Sequence, residues 1–382
     1  MNPKIIIDLK KFTDNLDYIG KKMKAKGLTF THITKGYAAD PKIVKAADEN
    51  KYVDYLGDAR IENIKNYPEV KKSKILIRIP MQSEIEDVIR YADISFNSEI
   101  STVRSLNNEA KRQKKTHKIV LMVDLGDLRE GYFDAQELHK AVNEIRVMTN
   151  IRLFGLAVNL TCFGGVIPEK GILQKLVDYK NSIESSYGLS LSMISGGNSS
   201  SLYLLDKNGI PEGINNLRLG EAIIIGRETA FGRLYDRMHH DVFTLSAELV
   251  EIKEKPSVPI GNIGMDAFGQ KPVFEDKGQM LRGIVAIGRQ DIDYLGLVPI
   301  DKRIVIIGAS SDHLILDLTK CKKDYKVGDS VRFYMNYSAV LSAFTSKYVK
   351  REYIPQQYNT RNFFYKKSAE RPLSDVQTGA PR

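Results

Sequence analysis

The sequence predicts a closed (β/α)8 barrel, a TIM barrel, followed by an all-β domain, and three observations support this fold class. Over residues 1–237, short β-branched runs alternate with amphipathic helical stretches, at roughly 20 to 40 residues for each pair. Eight such pairs follow one another, which is the number of units in a closed barrel of parallel strands. From residue 238 the helical period gives way to strand-like runs between Gly, Pro and Asp turns. Because periodicity does not show closure, a doubly wound open sheet stays the alternative for residues 1–237.

Each predicted barrel strand is a short apolar or β-branched run that ends at a turn. The eight runs are Leu28–Thr34, Val53–Leu56, Lys74–Ile79, Ala92–Phe96, Lys118–Asp124, Leu153–Asn159, Ser190–Ser195 and Glu221–Ile225. Helical patterns lie between them, for instance at Ile85–Tyr91, Thr102–Gln113, Asp134–Met148 and Lys170–Ser186. In such barrels the active site lies on the loops after the carboxyl ends of the strands, so residues at those ends are the first candidates.

The β domain is predicted over residues 238–354. Its strand-like runs are DVFTLSAELVEI, GIVAIG, RIVIIGAS, HLILDLT and DSVRFYM. Residues 355–382 show no clear period and end in polar sequence with Pro and Gly. This composition predicts a flexible tail or an arm that contacts a partner.

Composition excludes several classes of protein. With 382 residues, 42% of them hydrophobic, the chain can bury a large core, and no apolar run is long enough to span a membrane. Two isolated cysteines are too few for a disulfide framework or a zinc site, so we expect a cytoplasmic protein without a metal. The net charge of +10 comes from lysines scattered among acids, which predicts solvated helix faces rather than a surface for nucleic acid or membrane.

Lys35 ends the first predicted strand and stands directly before a glycine turn, in the segment THITKGYAAD. A lysine just beyond a strand is most often a solvated surface residue. At the mouth of a barrel, however, a lysine amine can act as a nucleophile toward a carbonyl group. The segment by itself leaves both interpretations open.

Two neighbouring segments are suited to binding an anion. SGGNSSS, residues 195–201, follows a predicted strand and opens a helical stretch, so Asn198, Ser199, Ser200 and the free N–H groups of the turn can donate to phosphate. NNLRLGEAIIIG, residues 215–226, places Arg218 and Gly220 at the next strand position. Phosphate sites in these barrels often use the loops after the seventh and eighth strands. A polar turn and a structural ion pair are the alternatives.

Further candidates lie in loops of both domains. In LMVDLGDLREGYF, Asp124 closes a strand and Arg129 follows five residues later, where it could hold a carboxylate by two hydrogen bonds or form a surface salt bridge. In the β domain, GNIGMDAFG and GASSDHLILD place Asp266, Asp312 and His313 in loops beside strands. An isolated Asp–His pair is more often a loop hydrogen bond than a metal or proton-transfer site.

Taken together, these segments resemble the pyridoxal-phosphate enzymes of the alanine racemase family, over residues 1 to about 354. The matching text is TKGYAADPKIVKA, YLGDARIENI, MVDLGDLREGYF, NLTCFGGVIP, SGGNSSSLYLLD, GINNLRLGEAIIIGRETAFG, KPSVPIGNIGMDAFGQKPVFEDKG and GASSDHLILDLT. Stretches this long, spread through both domains, are far more specific than any short motif.

The resemblance implies pyridoxal 5'-phosphate as the cofactor, with Lys35 bound covalently to its aldehyde and Arg218 facing its pyridine nitrogen. A permanent cation at that nitrogen keeps it unprotonated and disfavours transamination. The residues implied to hold the phosphate are Asn198, Ser199, Ser200, the backbone of Gly220, and Tyr348. Arg129 falls where the family has an arginine near the substrate carboxylate.

The sequence departs from the family pattern near the lysine and near the arginine. Four residues beyond the lysine the family has a tyrosine, whereas this chain has Ala39, with Tyr37 two residues beyond the lysine. Two residues before the matching aspartate many members have a modifiable lysine, whereas this chain has Met122. The support of Arg129 must therefore be replaced or absent.

A further departure concerns the second acid/base group. Racemisation needs one such group on each face of the α-carbon, and the family supplies the second as a tyrosine from the partner's C-terminal domain. Here GNIGMD occupies that position without a tyrosine, so Asp266 is the nearest titratable residue, and Asp312 and His313 are its rivals.

The activity that the resemblance implies is racemisation of ornithine, with lysine or other basic amino acids as further substrates, in a homodimer with shared active sites. One rival is a metal-assisted pyridoxal-phosphate aldolase or dehydratase of D-amino acids, with Asp312 and His313 as metal ligands. Another is a non-catalytic pyridoxal-phosphate-binding barrel, although such proteins generally lack the β domain. Among Asp58, Glu62 and Asp127, the sequence does not identify an acid that recognises a distal amine.

Overall fold

The computed structural model describes residues 3–354, and its larger part is a closed parallel barrel. The chain begins with β1 (Lys4–Ile7), which lies outside the barrel. The barrel strands, in spatial and chain order, are β2 (Thr29–Ile33), β3 (Tyr55–Asp58), β4 (Ser73–Leu76), β5 (Ile94–Asn97), β6 (His117–Val123), β7 (Ile151–Val158), β8 (Met193–Ser195) and β9 (Asn216–Leu219). Strand β9 pairs with β2, with Arg218 opposite Thr31, and this pairing closes the barrel. The predicted barrel is confirmed, and the open sheet is excluded.

The eighth barrel strand is not where the sequence pattern put it. The run Glu221–Ile225 was expected to be a strand, but it forms a one-turn helix that ends at Gly226 in the left-handed conformation, with φ +77°. The strand is instead Asn216–Leu219, directly before it. A short, fully apolar run fits a buried helix as well as a buried strand, so the pattern could not separate the two.

Helices cover the outside of the barrel. They are α1 (Leu9–Lys24), α2 (Pro41–Glu49), α3 (Ile61–Lys65), α4 (Ile85–Tyr91), α5 (Ile100–Arg112), α6 (Ala135–Ile145), α7 (Lys170–Tyr187), α8 (Leu202–Asp206) and α9 (Glu221–Ile225). The start of α1 shows why these helices form where they do. Asp8 caps it by accepting a hydrogen bond from the N–H of Lys11, and Phe12, Leu16 and Ile19 bury one face.

The second part of the structure is an eight-stranded sheet. Its strands besides β1 are β10 (Phe243–Pro256), β11 (Gln279–Val285), β12 (Leu297–Pro299), β13 (Val305–Ala309), β14 (Leu314–Asp317), β15 (Ser330–Met335) and β16 (Lys350–Tyr353). The order β12-β15-β10-β11-β14-β13 is antiparallel throughout. Strand β1 joins this sheet, antiparallel to β10 and parallel to β16. The first strand of the chain is therefore part of the C-terminal sheet.

One apolar core runs from the barrel into this sheet. Residues of α1, α2 and α9 share a buried cluster with β10, β15 and the helix α10 (Tyr337–Thr345). Helix α10 packs against the turn that follows β2, which is the turn that contains Lys35. None of the helices within residues 3–354 is both long and apolar enough to cross a membrane.

Candidate functional site at the barrel mouth

The loops after the carboxyl ends of the barrel strands bring most of the candidate residues together. We call this surface the mouth, and we define it by residues 34–40, 124–134, 159–169, 196–201 and 218–222. Four of the six non-glycine residues with positive φ in the described chain lie there: Ala38, Ala39, Leu128 and Thr161. Because strained backbone tends to collect at ligand sites, this clustering marks the mouth independently of any motif.

Lys35 opens a short 3-10 turn, Lys35–Tyr37, at the end of β2. Its side chain is exposed, and Nζ makes no hydrogen bond or ion pair with any residue in 3–354. The next residue, Gly36, is buried under α9 and α10: an added Cβ would lie 2.9 Å from Cδ1 of Ile224 and 3.4 Å from Cε2 of Tyr337. The turn is therefore packed tightly while its amine stays free.

A buried polar network supports this turn from below. The Thr34 hydroxyl lies 2.7 Å from the hydroxyl of Tyr67 and donates to the carboxylate of Asp58, which also accepts from the side-chain amide of Asn63. Burial raises the pKa of Asp58. No lysine or arginine pairs with Asp58 in the described chain, and its oxygens are already occupied by neutral donors.

The neighbouring ring pair is also buried. Nε2 of His32 lies 2.9 Å from the hydroxyl of Tyr37, and the two rings stack. Burial lowers the pKa of His32 to about 3, so this imidazole is neutral over the physiological range. His32 and Tyr37 face the helices rather than the mouth, and they act as packing for the turn.

Arg218 is the most deeply buried cation at the mouth, with 3% of its surface exposed. Its guanidinium donates to the Ser195 hydroxyl at 2.7 Å, the Val158 carbonyl at 2.8 Å and the Asn159 carboxamide oxygen at 2.5 Å, and it lies over the ring of Phe96. Every one of these acceptors is neutral, and Nε has no acceptor within the described chain. Burial lowers the pKa of Arg218 to about 10, so it remains a cation at neutral pH.

The two anion-binding segments of the sequence are adjacent in the structure. The Arg218 N–H donates to the Gly197 carbonyl at 3.0 Å, and the Ala222 N–H donates to the Ser199 hydroxyl at 3.2 Å. The Asn198 carboxamide caps the turn by accepting from the Ser200 N–H at 2.8 Å. Gly197 has φ +115°, and a Cβ on it would lie 2.5 Å from the Ser201 hydroxyl, so only glycine fits this close turn.

Arg129 lies on the loop after β6, but its partner was not foreseen. It forms a two-pronged ion pair with the adjacent Glu130, with Nη2 to Oε1 at 2.6 Å. The same Glu130 oxygen accepts from the Asn159 carboxamide at 2.7 Å. Met122, at the position where a modifiable lysine was considered, is buried inside the barrel. The anion beside Arg129 is thus supplied by Glu130.

Asp127, one of the acids considered for a distal amine, has another role. Its carboxylate accepts from the backbone N–H groups of Thr161, Cys162, Phe163 and Val166, at 2.9 to 3.1 Å. Burial opposes its ionisation, but these four donors outweigh burial and lower the pKa of Asp127. Asp127 therefore holds the loop after β7 and has little capacity left for a ligand.

The three candidates from the β domain do not join the mouth of their own chain. Asp266 is half-buried in the loop of residues 257–278, and its carboxylate accepts from the Phe268 and Gln270 N–H groups, both at 2.9 Å. These two donors lower the pKa of Asp266. Asp312 and His313 are exposed at the hairpin tip between β13 and β14 and bond only within residues 310–313. None of these three side chains bonds to Lys35 or Arg218 within the described residues.

Tyr348, expected to hold the phosphate, is 51% exposed. Its ring lies beside Nζ of Lys347, and its N–H donates to the Ser346 hydroxyl. Tyr337, at the start of α10, packs on Gly36 at the mouth instead, and burial, together with Glu221, Asp58 and Cys162 nearby, raises its pKa. The signal in the sequence was the pair Asn336–Tyr337, because Asn336 caps α10 and fixes where the tyrosine stands.

Sequence reasoning missed three further residues of the mouth: Glu130, Asn159 and Cys162. Glu130 follows Arg129, Asn159 closes a predicted strand and Cys162 lies in the segment NLTCFGGVIP, but no pattern in the sequence shows the side-chain contacts that give them a role. Within residues 3–354 no group of three or more His, Cys, Asp or Glu converges as a metal site would require. A cavity of about 450 Å³ opens at the opposite end of the barrel, between Leu28 and Ile214, and contains none of the candidates.

A free lysine in the turn after β2 and a buried arginine on the paired strand β9, beside a glycine-serine turn, define a TIM-barrel protein with a ligand site at the carboxyl ends of its strands. Comparison with known proteins narrows this class. The family model for the alanine racemase N-terminal domain matches residues 7–228. The chain belongs to the alanine racemase family.

Relatives and solved structures agree with this assignment. The chain is 49% identical to the ornithine racemase of Acetoanaerobium sticklandii, over 92% of this chain and 99% of that protein. It is 38% identical to the lysine racemase of Thermotoga maritima, again over 92% and 99%. The crystal structure of Bartonella henselae alanine racemase with covalently bound pyridoxal phosphate matches with a TM-score of 0.70 at 17% identity, over 93% of this chain and 100% of that one. The last likeness shows a shared fold.

Proposed function

We propose that this protein is a pyridoxal-phosphate-dependent racemase that interconverts L- and D-ornithine, with lysine as a second substrate. Family membership and the two relatives named for ornithine and lysine support the reaction class and the basic substrate. Whole-length similarity matters here, because both relatives are covered almost completely, including the β domain. The rival aldolase or dehydratase has no comparable support.

The observation that carries the proposal is the placement of Lys35 and Arg218. Lys35 lies in the turn after β2 and Arg218 lies in β9. These two strands are hydrogen-bonded neighbours, with Arg218 opposite Thr31, four residues before the lysine. One is an amine without a partner, and the other is a buried cation whose described acceptors are all neutral. A ligand with a reactive carbonyl at one end and a neutral ring nitrogen as acceptor fits between them.

The residues present fit pyridoxal phosphate. Lys35 would hold the aldehyde carbon, the free Nε of Arg218 would donate to the ring nitrogen, and a turn of small residues would receive the phosphate. The phosphate donors would be Asn198, Ser199, Ser200, the backbone of Gly220, and Tyr337 in place of Tyr348. When bound, the cofactor withdraws electrons from the α-carbon of the amino acid and so makes its hydrogen acidic.

The protein's own groups then move the α-proton. Nζ of Lys35 takes or returns this proton on one face, and a second group serves the other face. Arg129, exposed at the mouth and already held by Glu130, would bind the substrate carboxylate. Since no second acid or base from residues 3–354 of the same chain contacts Lys35, the second group comes from a partner subunit, and we assign it to Asp266.

The 257–278 loop supports a dimer with shared sites. It carries Asp266 and exposes several apolar side chains, among them Ile260 at 92%, Met265 at 79% and Val273 at 95%. An exposed apolar segment of this kind is typical of an interface. In a twofold dimer each subunit would offer this loop to its partner's mouth, and the interface would use the same surface on both subunits.

Incubation of the purified holoenzyme with L-ornithine in deuterated water tests the proposed reaction. Optical rotation should decay while the α-position gains deuterium, because a proton removed at Nζ exchanges with solvent. L-lysine should react in the same way, and L-alanine serves as the comparison for a substrate without a distal amine. Release of ammonia, cleavage of the carbon chain or no reaction at all would contradict the proposal.

A further inference from the structure

The two arginines of the mouth are joined by one continuous path of hydrogen bonds. Arg129 pairs with Glu130 by both Nε and Nη2, Glu130 accepts from the amide of Asn159 at 2.7 Å, and Asn159 accepts from Nη2 of Arg218 at 2.5 Å. The path crosses from the loop after β6 to the loop after β7 and then to β9. It therefore couples three separate elements of the barrel.

Glu130 is the anion of this path. Within residues 3–354 it forms the ion pair of Arg129, whereas Arg218 has no carboxylate within ion-pair distance. Burial lowers the pKa of Arg218 most strongly, Cys162 and Glu130 act in the opposite direction, and the charge of Arg129 lowers it further. The carboxylate thus offsets a repulsion between two guanidinium groups that point into one site.

Asn159 links Glu130 to Arg218 through the two ends of its side-chain amide. Its NH2 group donates to Glu130 while its oxygen accepts from Arg218. The flipped amide would set its oxygen against the carboxylate and its NH2 against the guanidinium, so only one of the two orientations satisfies both neighbours. Both neighbours fix this orientation, because Glu130 offers only acceptors and Arg218 offers only donors.

We propose that Glu130 is a positioning residue for both arginines: it holds Arg129 directly and holds Arg218 through Asn159, so that the two guanidinium groups act as one unit. This inference rests on the proposed function, in which Arg218 faces the cofactor ring and Arg129 faces the substrate carboxylate. Glu130 itself touches neither cofactor nor substrate. It makes binding of the substrate carboxylate and the electronic state of the cofactor ring depend on a single side chain.

Three variants separate this role from that of an ordinary ion pair. In the holoenzyme, Glu130→Gln should raise the KM for L-ornithine, lower kcat, and shift the visible absorption band of the bound cofactor, with kcat/KM falling about 10- to 100-fold, as for a lost charged hydrogen bond. Asn159→Ala should shift the absorption band similarly while changing KM less. The double variant Glu130→Gln with Asn159→Ala should lose no more than the worse single variant, because residues in one network are not additive.

A charge transposition gives the sharpest test. In the double variant Glu130→Gln with Asn159→Asp, the carboxylate moves next to Arg218, so the absorption band should return toward that of the wild type. The KM should stay raised, because Arg129 still lacks its anion. Glu144→Gln is the matched control: Glu144 forms the same two-pronged pair with Arg104 on the outer helices, and its loss should leave kcat, KM and absorption unchanged.

The possible results are distinguishable. Multiplicative losses in the Glu130→Gln and Asn159→Ala double variant, or a changed melting temperature with unchanged kcat, KM and absorption in Glu130→Gln, would overturn the role of Glu130. If the wild-type protein binds pyridoxal phosphate but does not racemise ornithine, the proposed function fails on its own. The absorption of the Glu130 and Asn159 variants would then still decide whether the two arginines are coupled.

Discussion

The barrel mouth and the turns of the β domain hold their candidate residues in different ways. At the mouth, Arg218 is bonded to groups from three separate strands or loops, and the turn of Lys35 is packed under two helices. In the β domain, Asp266 is half-buried and His313 is exposed, and both are bonded only within their own loops. The part of the site around Lys35 and Arg218 is held by contacts within this chain. The β-domain candidates lie in loops that do not contact it. This contrast is what the proposed dimer with shared sites would require.

The largest expected effect is the loss of the free amine at the mouth. Lys35→Ala should lower racemisation by about 10³-fold or more, since it removes a proton-transfer group and the covalent anchor together. Borohydride reduction of the wild-type holoenzyme, followed by peptide mass spectrometry, should find the cofactor on Lys35 and nowhere else. Lys45→Ala, an exposed lysine on α2, is the control and should keep full activity. Cofactor on another lysine would contradict the assignment.

The next largest effect is expected at Asp266, the proposed second acid/base group. Asp266→Asn should lower racemisation by about 10²- to 10⁴-fold if it supplies the second acid/base group. Mixed with Lys35→Ala subunits after reversible dissociation, it should recover about a quarter of the wild-type sites, because each mixed dimer then contains one intact site.

The same mixing experiment tests Asp312 and His313, the other candidates for the second acid/base group. Asp312→Asn and His313→Gln should each retain activity and need no rescue. If one of them is inactive and is rescued by Lys35→Ala while Asp266→Asn is fully active, the second group belongs to the hairpin tip between β13 and β14. If no pair of inactive variants recovers activity, the sites are not shared between subunits.

A smaller effect, on the affinity for pyridoxal phosphate, distinguishes Tyr337 from Tyr348. Tyr337→Phe should weaken pyridoxal phosphate binding by about 2- to 10-fold, the range for one neutral hydrogen bond, because its hydroxyl lies at the mouth. Tyr348→Phe should leave the affinity unchanged, since this ring is half-exposed beside Lys347. Titration of the apoprotein with the cofactor, followed by visible absorption, measures both. The reverse result would restore Tyr348 to the phosphate site.

The response to acid should differ between a buried histidine of the barrel and an exposed one of the β domain. His117 begins β6 and lies 2.8 Å from the Ser95 hydroxyl, and burial lowers its pKa to about 4. Since this value is below that of an unfolded histidine, the unfolded chain binds the proton more tightly. Stability is then fully present above about pH 6.5 and is lost as the pH falls toward 4, by about 3 kcal/mol.

The matched variants for this pH effect are His117→Gln and His313→Gln. The first should flatten the fall in melting temperature between pH 7 and pH 4.5, because its group no longer titrates. The second should leave that slope unchanged, since His313 is exposed. Equal slopes in the wild type and His117→Gln would show that the buried histidine does not contribute to acid unfolding.

Much of the fold could be predicted because it depends on local periodicity. Seven barrel strands overlap their predicted runs, and Ile85–Tyr91 was predicted with its observed bounds. The eighth strand was wrong for a physical reason: its residues Asn216–Leu219 include an asparagine and an arginine that face the barrel interior, while the apolar run beside it is a helix. Strands that line a site are polar, so a search for apolar runs passes over them.

The candidate site was less accessible to sequence reasoning than the fold. Residues in segments adjacent to barrel strands, such as Lys35, Arg218 and the 195–201 turn, could be found because strand ends meet at one edge. Glu130 and Asn159 could not, because their roles depend on side-chain contacts between loops about 30 residues apart in the chain. Tyr337 lies farther still, on a helix that reaches the mouth from the other domain.

The pairing of β1 has a consequence for biosynthesis. Lys4 lies opposite Ser246 and Lys350, so β1 leaves the ribosome more than 200 residues before either neighbour exists. Barrel strands up to Leu219 are complete long before then, and contacts of such long sequence separation form late in folding. A nascent chain paused before residue 240 would therefore display an unpaired Lys4–Ile7 edge, a binding segment for chaperones and a point of aggregation.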